Sequence, residues 1–570
     1  MHVRLVTFLG IGAPDPPHYK ACQYKEDGEV SSQPSPLHDV ATVELLLRRS
    51  PGATVHIAVL GTKEVQQRWF GSDGLYRRLV DGSAIGAAVL GHAVTIQFVL
   101  LPDGATDSER WEIFTLMTDA LRPSWSTASS PSVAAPDEIV VDITHGFRSQ
   151  SFFAAAAIAF AQSQQAREQA SPVPIRIIYG AFEAKTKDAQ PQDDVVAPVW
   201  DLTQLLNVSR WDRALDGLMR FGRADDLAQL IDQVERTVPN ARARDERAPL
   251  KMLRDRVKEF ADALVTGRTG AILTDLAEKL VGACESAKPV VEARIPPLVA
   301  QLNHLQEWVR PLKAKHVVSV DGVRAALALA GLYERLHRFS ELSAILRETL
   351  TTSFGISTGS ASQLQPPDAG FDKEREGVDR SLGALASQHK DSTWGAAFHR
   401  ITSLRNDVQH AAFNQTSQRA SSLITKLAEA RSKLEVLLKE PAVFVSCTNH
   451  ELTPQQCAAV QDHCPGAQVL ELPFPLVTTD ADAAAIGRMA EELVAHILKS
   501  RVCAVHLAGE QTLTHAVVAQ LQGAGIPTYA STTERDATED LLPDGSVTKT
   551  SRFRFVGFRL FPQIGRSANQ

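Results

Sequence analysis

Asp142-Ile143-Thr144-His145-Gly146-Phe147-Arg148-Ser149 stands between two apolar runs, Ile139-Val140-Val141 before it and Phe152 to Phe160 after it. The first run reads as a buried strand. The second, rich in alanine and phenylalanine, reads as a buried helix. An acid, two hydroxyls, a histidine, a glycine and an arginine therefore gather at one strand-to-helix turn. In an open parallel sheet such turns lie at the carboxyl ends of the strands, where these folds bind ligands. A helix start also offers free N–H groups and the positive end of a dipole, so a phosphate suits it. Gly146 permits close backbone approach, and Arg148 and His145 are read as sources of positive charge.

Working outward, strands are expected at Val3 to Leu9, Thr54 to Leu60, Thr95 to Leu101 and Ile175 to Tyr179. They end respectively in Gly10-Ile11-Gly12, Gly61-Thr62, Pro102-Asp103-Gly104 and Gly180. Helices fall between them, over Val40 to Arg49 and Ser108 to Leu121. The strands are apolar on both faces, which predicts a parallel sheet covered on both sides. Pro14 to Pro36 reads as a loop or irregular hairpin. Trp111, Phe114 and Trp211 read as core residues.

From about Asn207 the apolar residues recur at three or four positions, as in Trp211, Leu215, Leu218 and Phe221. This predicts an all-helical region to about Lys439. It is interrupted at Thr351 to Pro367, which reads as a long loop. After Pro441 the strand–helix pattern returns. Strands are expected at Val443 to Ser446, Val469 to Leu472, Val502 to Leu507 and Pro527 to Ala530, with an edge strand over Phe553 to Phe561. Three regions result: 1–206 (α/β, Rossmann-like), 207–440 (all-α) and 441–570 (a second small α/β, Rossmann-like).

The chain has 570 residues and a formal net charge of −7. That length exceeds one core, and that charge argues against a general nucleic-acid coat. Six cysteines lie without tight pairing, which suggests a reducing compartment. No apolar run reaches membrane length, and Met1-His2-Val3-Arg4 leads directly into a strand. The expectation is a cytoplasmic protein without membrane partners. Cys447, His450, Cys457, His463 and Cys464 invite a metal reading, but no CxxC pair is present and no metal is expected.

The octapeptide resembles that of the CRISPR-associated Rossmann-fold (CARF) proteins of type III systems, in the branch carrying a HEPN ribonuclease domain. Thr7-Phe8-Leu9-Gly10-Ile11-Gly12, Leu60-Gly61-Thr62, Trp111-Glu112-Ile113-Phe114, Tyr179-Gly180-Ala181-Phe182-Glu183 and Pro198-Val199-Trp200-Asp201-Leu202-Thr203 match in order. Ile11 stands where the family usually has threonine. The resemblance implies a sensor of cyclic oligoadenylate, with cyclic tetra-adenylate as activator and no cofactor. On it, the ligand contacts are Gly10, Ile11, Gly12, Gly61, Thr62, Asp142, Thr144, His145, Gly146, Phe147, Arg148, Ser149, Tyr179 and Gly180.

Arg405-Asn406-Asp407-Val408-Gln409-His410 resembles the HEPN motif. Asn406 and His410 are four apart and share a helix face, while Arg405 sits about 140° round from His410. The resemblance implies a metal-independent endoribonuclease acting on single-stranded RNA as a homodimer. The substrate's 2′-hydroxyl attacks phosphorus, His410 serves as acid or base, and Arg405 neutralises the phosphorane. The products are a 2′,3′-cyclic phosphate and a 5′-hydroxyl. The C-terminal layout loosely resembles small CRISPR-associated ring nucleases that linearise the messenger, with Thr448, Asn449, His450, Glu510, Ser531, Thr532 and Arg535 as its site. An accessory dimerisation domain stands beside that reading. A non-catalytic sensor that signals to a partner, and a chain whose only chemistry is on the messenger, are the alternatives. Deletion of residues 441–570 is the experiment expected to separate the last of these.

Overall fold

The computed structural model describes residues 1–13, 19–125, 135–167, 172–185, 195–296, 298–361, 364–366, 368–410, 413, 417–541 and 547–564. The chain divides into two compact units, Met1–Arg210 and Trp211–Gln570.

In the first unit, β1 (His2–Leu9), β2 (Gln23–Glu26), β3 (Glu29–Val30), β4 (Thr54–Gly61), β5 (Val94–Leu100), β6 (Glu138–His145), β7 (Ile175–Gly180) and β8 (Val196–Asp201) form one sheet. Its order is β3-β2-β8-β7-β6-β1-β4-β5. The five strands from β7 to β5 are parallel. Their alternate residues feed two cores. Val3 and Leu5 of β1 pack with Val43 and Trp69 on one face. Val6 and Phe8 pack with Met117 and Ala157 on the other. Both faces are thus apolar, as the runs predict.

The parallel expectation fails at one edge. Strand β8 runs antiparallel to β7, and the hairpin β2–β3 joins its far side. The polar segment before Pro36 holds that hairpin. A strand of Val196-Ala197-Pro198-Val199 carries a proline, which masks it in the sequence. Trp111 is a second correction. It is 70 % exposed on the helix Asp107–Ala120, whose inward face is carried by Ile113 and Met117. Arg4, in contrast, is fully buried. It donates to the carbonyls of Ala120, Arg122 and Pro123 and so closes the end of that helix.

The second unit begins with helices and ends with a sheet of β9 (Val443–Thr448), β10 (Gln468–Leu472), β11 (Val502–Ala508), β12 (Thr528–Leu541) and β13 (Val547–Leu560). Its order is β10-β9-β11-β12-β13, parallel except for β13. Helices and sheet share one core: Leu218, Phe260, Leu329, Leu346 and Trp394 belong to the same buried cluster as Val445, Val505 and Val518. The Trp394 indole donates to the Val502 carbonyl at 3.4 Å, and Thr393 N–H donates to the Leu498 carbonyl at 3.0 Å. Residue 440 therefore marks a change of element type within one packed unit.

Two further expectations are corrected. The loop from Thr351 starts later, because the helix Phe339–Ser357 continues through it and buries Phe354. Ser353 and Thr358 satisfy their hydroxyls on carbonyls one turn back, Ser353 on Thr349 at 2.7 Å, while Thr351 donates to Asp379 at 3.4 Å. Ser531 to Arg535 is not a loop but part of β12, paired with β13 across a bulge at Thr532/Thr533. Among the described residues no helix is long and apolar enough to cross a membrane.

Candidate functional site

In the first sheet β4 and β5 lie on one side of β1, while β6 and then β7 lie on the other. The strand order reverses between β1 and β6, and the crevice of a doubly wound sheet opens there at the carboxyl ends. Gly10 and the 145–147 turn meet at that point. A Cβ on Gly10 would lie 2.9 Å from the His145 carbonyl oxygen. One on Gly146 would lie 2.9 Å from Phe8 Cβ. Only glycine at both positions lets the two loops touch. Gly12 takes a left-handed φ of 73°. The Gln150 side chain accepts from Phe147 N–H at 2.9 Å at the start of the helix Arg148–Arg167.

The polar residues of the octapeptide divide by direction. Asp142 and Thr144 point inward. Asp142 Oδ1 receives Thr144 N–H and His38 Nδ1, both at 2.9 Å, and Oδ2 receives the Thr7 hydroxyl at 3.3 Å. The Thr144 hydroxyl donates to Asp142 and accepts from Gly180 N–H at 2.8 Å. Burial alone would raise the Asp142 pKa, but His38 and the Thr144 hydroxyl override it and hold the carboxyl at about 2. These groups brace the floor.

Phe147, Arg148 and Ser149 are exposed on the rim. Arg148 has no ion pair among the described residues. His145 is positioned otherwise than expected. Its Nε2 accepts the His38 backbone N–H at 3.1 Å, which leaves the proton on Nδ1. Burial lowers its pKa to about 4. Its ring is neutral near pH 7, so positive charge on this turn comes from Arg148 and the helix start.

Other sequence-predicted residues serve the same crevice indirectly. A Cβ on Gly61 would strike Val65 at 2.6 Å, so Gly61 sets how closely the helix Lys63–Phe70 follows β4. Thr62 stands at that helix's N-terminal boundary. The Tyr179 hydroxyl donates to Glu183 at 2.9 Å, and Gly180 lies against His38 and Tyr24. Sequence reasoning missed the groups that hold the first loop. Trp69 Nε1 donates to the Gly10 carbonyl at 3.0 Å, and Arg68 donates to the Ile11 carbonyl at 2.9 Å. Tyr19 stacks on Trp69 and lies 4.2 Å from the His145 ring. The nearest sequence signal was that Arg68 and Trp69 follow the Gly61-Thr62 turn by less than two helical turns.

In the second unit the helix Thr393–Gln409 carries the Arg405–His410 motif to its end. Asn406 is exposed and lines a groove of about 540 Å³ with Lys390, His399, Thr402, Ser403 and Gln418. Asp407 is buried and accepts from Gln418 N–H at 3.2 Å. His410 is exposed and closes the helix with its N–H on the Asn406 carbonyl at 2.9 Å. Arg405 is half-buried, in three- and four-residue register with Val408 and Ile401. Neither Arg405 nor His410 lines the groove.

The second sheet reverses its order between β9 and β11. Phe474 covers this crevice, since a Cβ on Gly509 would fall within 2.3 Å of its ring. The Thr448 hydroxyl is engaged in its own turn, donating to the His450 carbonyl at 2.6 Å. Asn449 and His450 are exposed. Glu510 caps the helix Gln511–Gly523, receiving Leu513 N–H at 2.8 Å and Thr512 N–H at 3.0 Å; these bonds lower its pKa. Ser531 joins a polar chain that sequence reasoning missed. It bonds His506 Nε2 at 2.9 Å, His506 Nδ1 bonds the Ser446 hydroxyl at 3.1 Å, and Gln456 donates to Ser531 at 3.3 Å. Thr532 pairs with Gly557 across the hairpin. Arg535, four residues beyond Ser531 and so about 13 Å further along the strand, lies over the Phe553 ring. Among the described residues no three His, Cys, Asp or Glu side chains gather as metal ligands.

The first unit is thus a doubly wound α/β fold with a switch-point crevice between two glycine loops, followed by a helical unit that packs around a second α/β sheet. Residues 442–559 match the Uncharacterized protein MJ1673 family. No curated protein matches the chain. One solved structure, Enterococcus italicus Csm6 bound to cyclic hexa-2′-fluoro-hexa-dAMP, is similar at 10 % identity and a TM-score of 0.34. That likeness covers 76 % of this chain and 93 % of that one, and at this level it carries no argument.

Proposed function

We propose that the chain is a cyclic-oligoadenylate-activated endoribonuclease of type III CRISPR defence. The observation that carries the reading is the β1/β6 crevice. Two glycine loops meet there, the Thr144-His145-Gly146-Phe147-Arg148 turn opens a helix, and an exposed arginine stands on the rim. A phosphate-bearing ligand fits those N–H groups and that charge. The same chain carries Arg405, Asn406 and His410 on a helix, with the two exposed members four residues apart.

In this reading a homodimer presents two crevices to one two-fold symmetric ring, cyclic tetra-adenylate. Binding favours the arrangement in which the two helix ends are competent. At each site the 2′-hydroxyl of the RNA attacks the adjacent phosphorus, forming the 2′-oxygen–phosphorus bond. The bond to the 5′-oxygen breaks, leaving a 2′,3′-cyclic phosphate and a 5′-hydroxyl. His410 moves the proton, taken from the attacking 2′-hydroxyl and delivered to the leaving 5′-oxygen. Arg405 supplies charge to the phosphorane from the partner arrangement.

The test is cleavage of a fluorescent single-stranded RNA with and without cyclic tetra-adenylate, by the native chain and by His410→Ala. Cleavage that requires the ring and drops at least about a hundredfold in His410→Ala supports the reading. Ring binding without cleavage in the native chain moves it to the non-catalytic sensor. A second activity, hydrolysis of the ring by the C-terminal sheet, draws on the Ser446–His506–Ser531 chain, whose first two members are buried within β9 and β11. Loss of ring hydrolysis in Ser531→Ala, with RNA cleavage retained, is its signature.

A further inference from the structure

The groove beside Asn406 has features that the motif alone does not use. Its lining side chains are Lys390, His399, Thr402, Ser403, Asn406 and Gln418, with Phe398 and small residues at its base. Among the described residues the one lining carboxylate is Asp407, which is buried and accepts from Gln418 N–H. Behind the lining, the Lys426 ammonium donates to Gln418 Oε1 at 2.6 Å. In a chain of net charge −7, the exposed charge that the described residues give this groove is the Lys390 ammonium. One wall is rigid: Arg347 lies 5.0 Å over the Phe398 ring and donates to Asp379 at 2.8 Å and to Thr402 at 3.3 Å.

The channel also has a direction. His399, Ser403 and Asn406 line it at four- and three-residue spacing on one stripe of the helix, and His410 continues that stripe four residues beyond the lining. At about 1.5 Å per residue the stripe runs roughly 16 Å from His399 to His410. A line of donors that long, starting beside Lys390 and ending at His410, matches an extended polyanion better than a compact one.

We propose that this groove is the path of the RNA single strand, with Lys390 and His399 as phosphate contacts leading to the scissile bond at His410. The proposal rests on the ribonuclease reading and adds the residues that hold the substrate. Lys390 and His399 are substrate-binding residues here; they take no part in the bond-breaking step.

The test uses the full chain and a 2′-O-methyl RNA, which lacks the attacking hydroxyl and so stays intact. Affinity is read by fluorescence anisotropy across a salt series, with cyclic tetra-adenylate present, for the native chain, Lys390→Glu, His399→Ala, the double variant and Lys251→Glu. Lys251 is an exposed lysine on another helix. The expected result is a loss of about tenfold or more in the double variant, with Lys251→Glu unchanged. The salt slope should fall by about 0.7 per phosphate contact removed. Cleavage of ordinary RNA by the double variant should show a raised KM with kcat retained. Equal affinity and slope in all variants would overturn the path. RNA bound through Lys390 and His399 but never cut would leave the path standing and remove the ribonuclease reading. RNA cut normally by the double variant, without a change in KM, would do the reverse. Failure of the native chain to bind RNA would overturn both.

Discussion

The Gly10 α-carbon faces the His145 carbonyl so closely that a methyl group placed on it would sit 2.9 Å from that oxygen. The oxygen belongs to the backbone, so there is no flexible side-chain end to yield. Gly10→Ala must therefore push β1's loop away from the 145–147 turn and open the switch point. Overpacking of this kind costs roughly 1–3 kcal/mol. If the cost falls on the ligand-bound geometry, ring affinity drops about ten- to a hundredfold. Isothermal titration with cyclic tetra-adenylate checks it, and unchanged affinity would place the ligand elsewhere.

Asp142 makes a different prediction, on stability. It is buried against His38 and the Thr144 hydroxyl. Asp142→Asn keeps the shape but removes the charge that His38 faces. Breaking one side of a buried pair costs roughly 3–5 kcal/mol. Urea denaturation of the variant should show a lower midpoint for the first unit's transition. A midpoint within experimental error of the native chain would show that the pair is not what holds the floor.

The pH dependence follows from buried histidines. His56, His145 and His506 are each lowered to about 4, chiefly by burial. Unfolded, they titrate near 6.5. Between those values the unfolded chain binds more protons, so stability falls as pH drops from about 6.5 toward 4. Asp39 works the other way: burial raises it to about 6, so below that pH it favours the folded state. One carboxyl opposes three imidazoles, and the net is a thermal midpoint that decreases over this window. A midpoint that held or rose between pH 6.5 and 4.5 would contradict the assignment of these rings as neutral.

Removal of residues 441–570 looks from the sequence like a clean domain deletion. The structure predicts that it is not. Trp394 packs edge-on against Phe354 at 5.5 Å, and its indole donates to a β11 carbonyl. The core cluster that contains it continues into Val445, Val505 and Val518. A 1–440 fragment would expose that surface, and its helical region should lose cooperative unfolding or aggregate. Circular dichroism during thermal melting reads this directly. A soluble fragment whose helices melt in a sharp transition would show that the shared core is dispensable. Single substitutions such as Ser531→Ala are the better means of separating the C-terminal sheet's chemistry from the rest.

What the sequence by itself determined was local and periodic. Apolar runs ending in Gly10, Gly61, Gly146 and Gly180 located the parallel strands and the loops that meet at their ends, because glycine and strand periodicity are written in adjacent residues. The helical register from Trp211 onward was legible for the same reason. The tertiary structure decided everything that depends on direction and long separation. It turned Asp142 and Thr144 inward onto His38, more than a hundred residues earlier in the chain. It made His145 a neutral acceptor through the His38 N–H, and it exposed Trp111 while burying Arg4. It carried Ser531 onto His506 by extending β12 where a loop was expected, and it joined the helices to the second sheet through Trp394. Each of these is set by which long-range partner satisfies a buried polar group or fills a face, and a single chain of letters carries no record of that pairing.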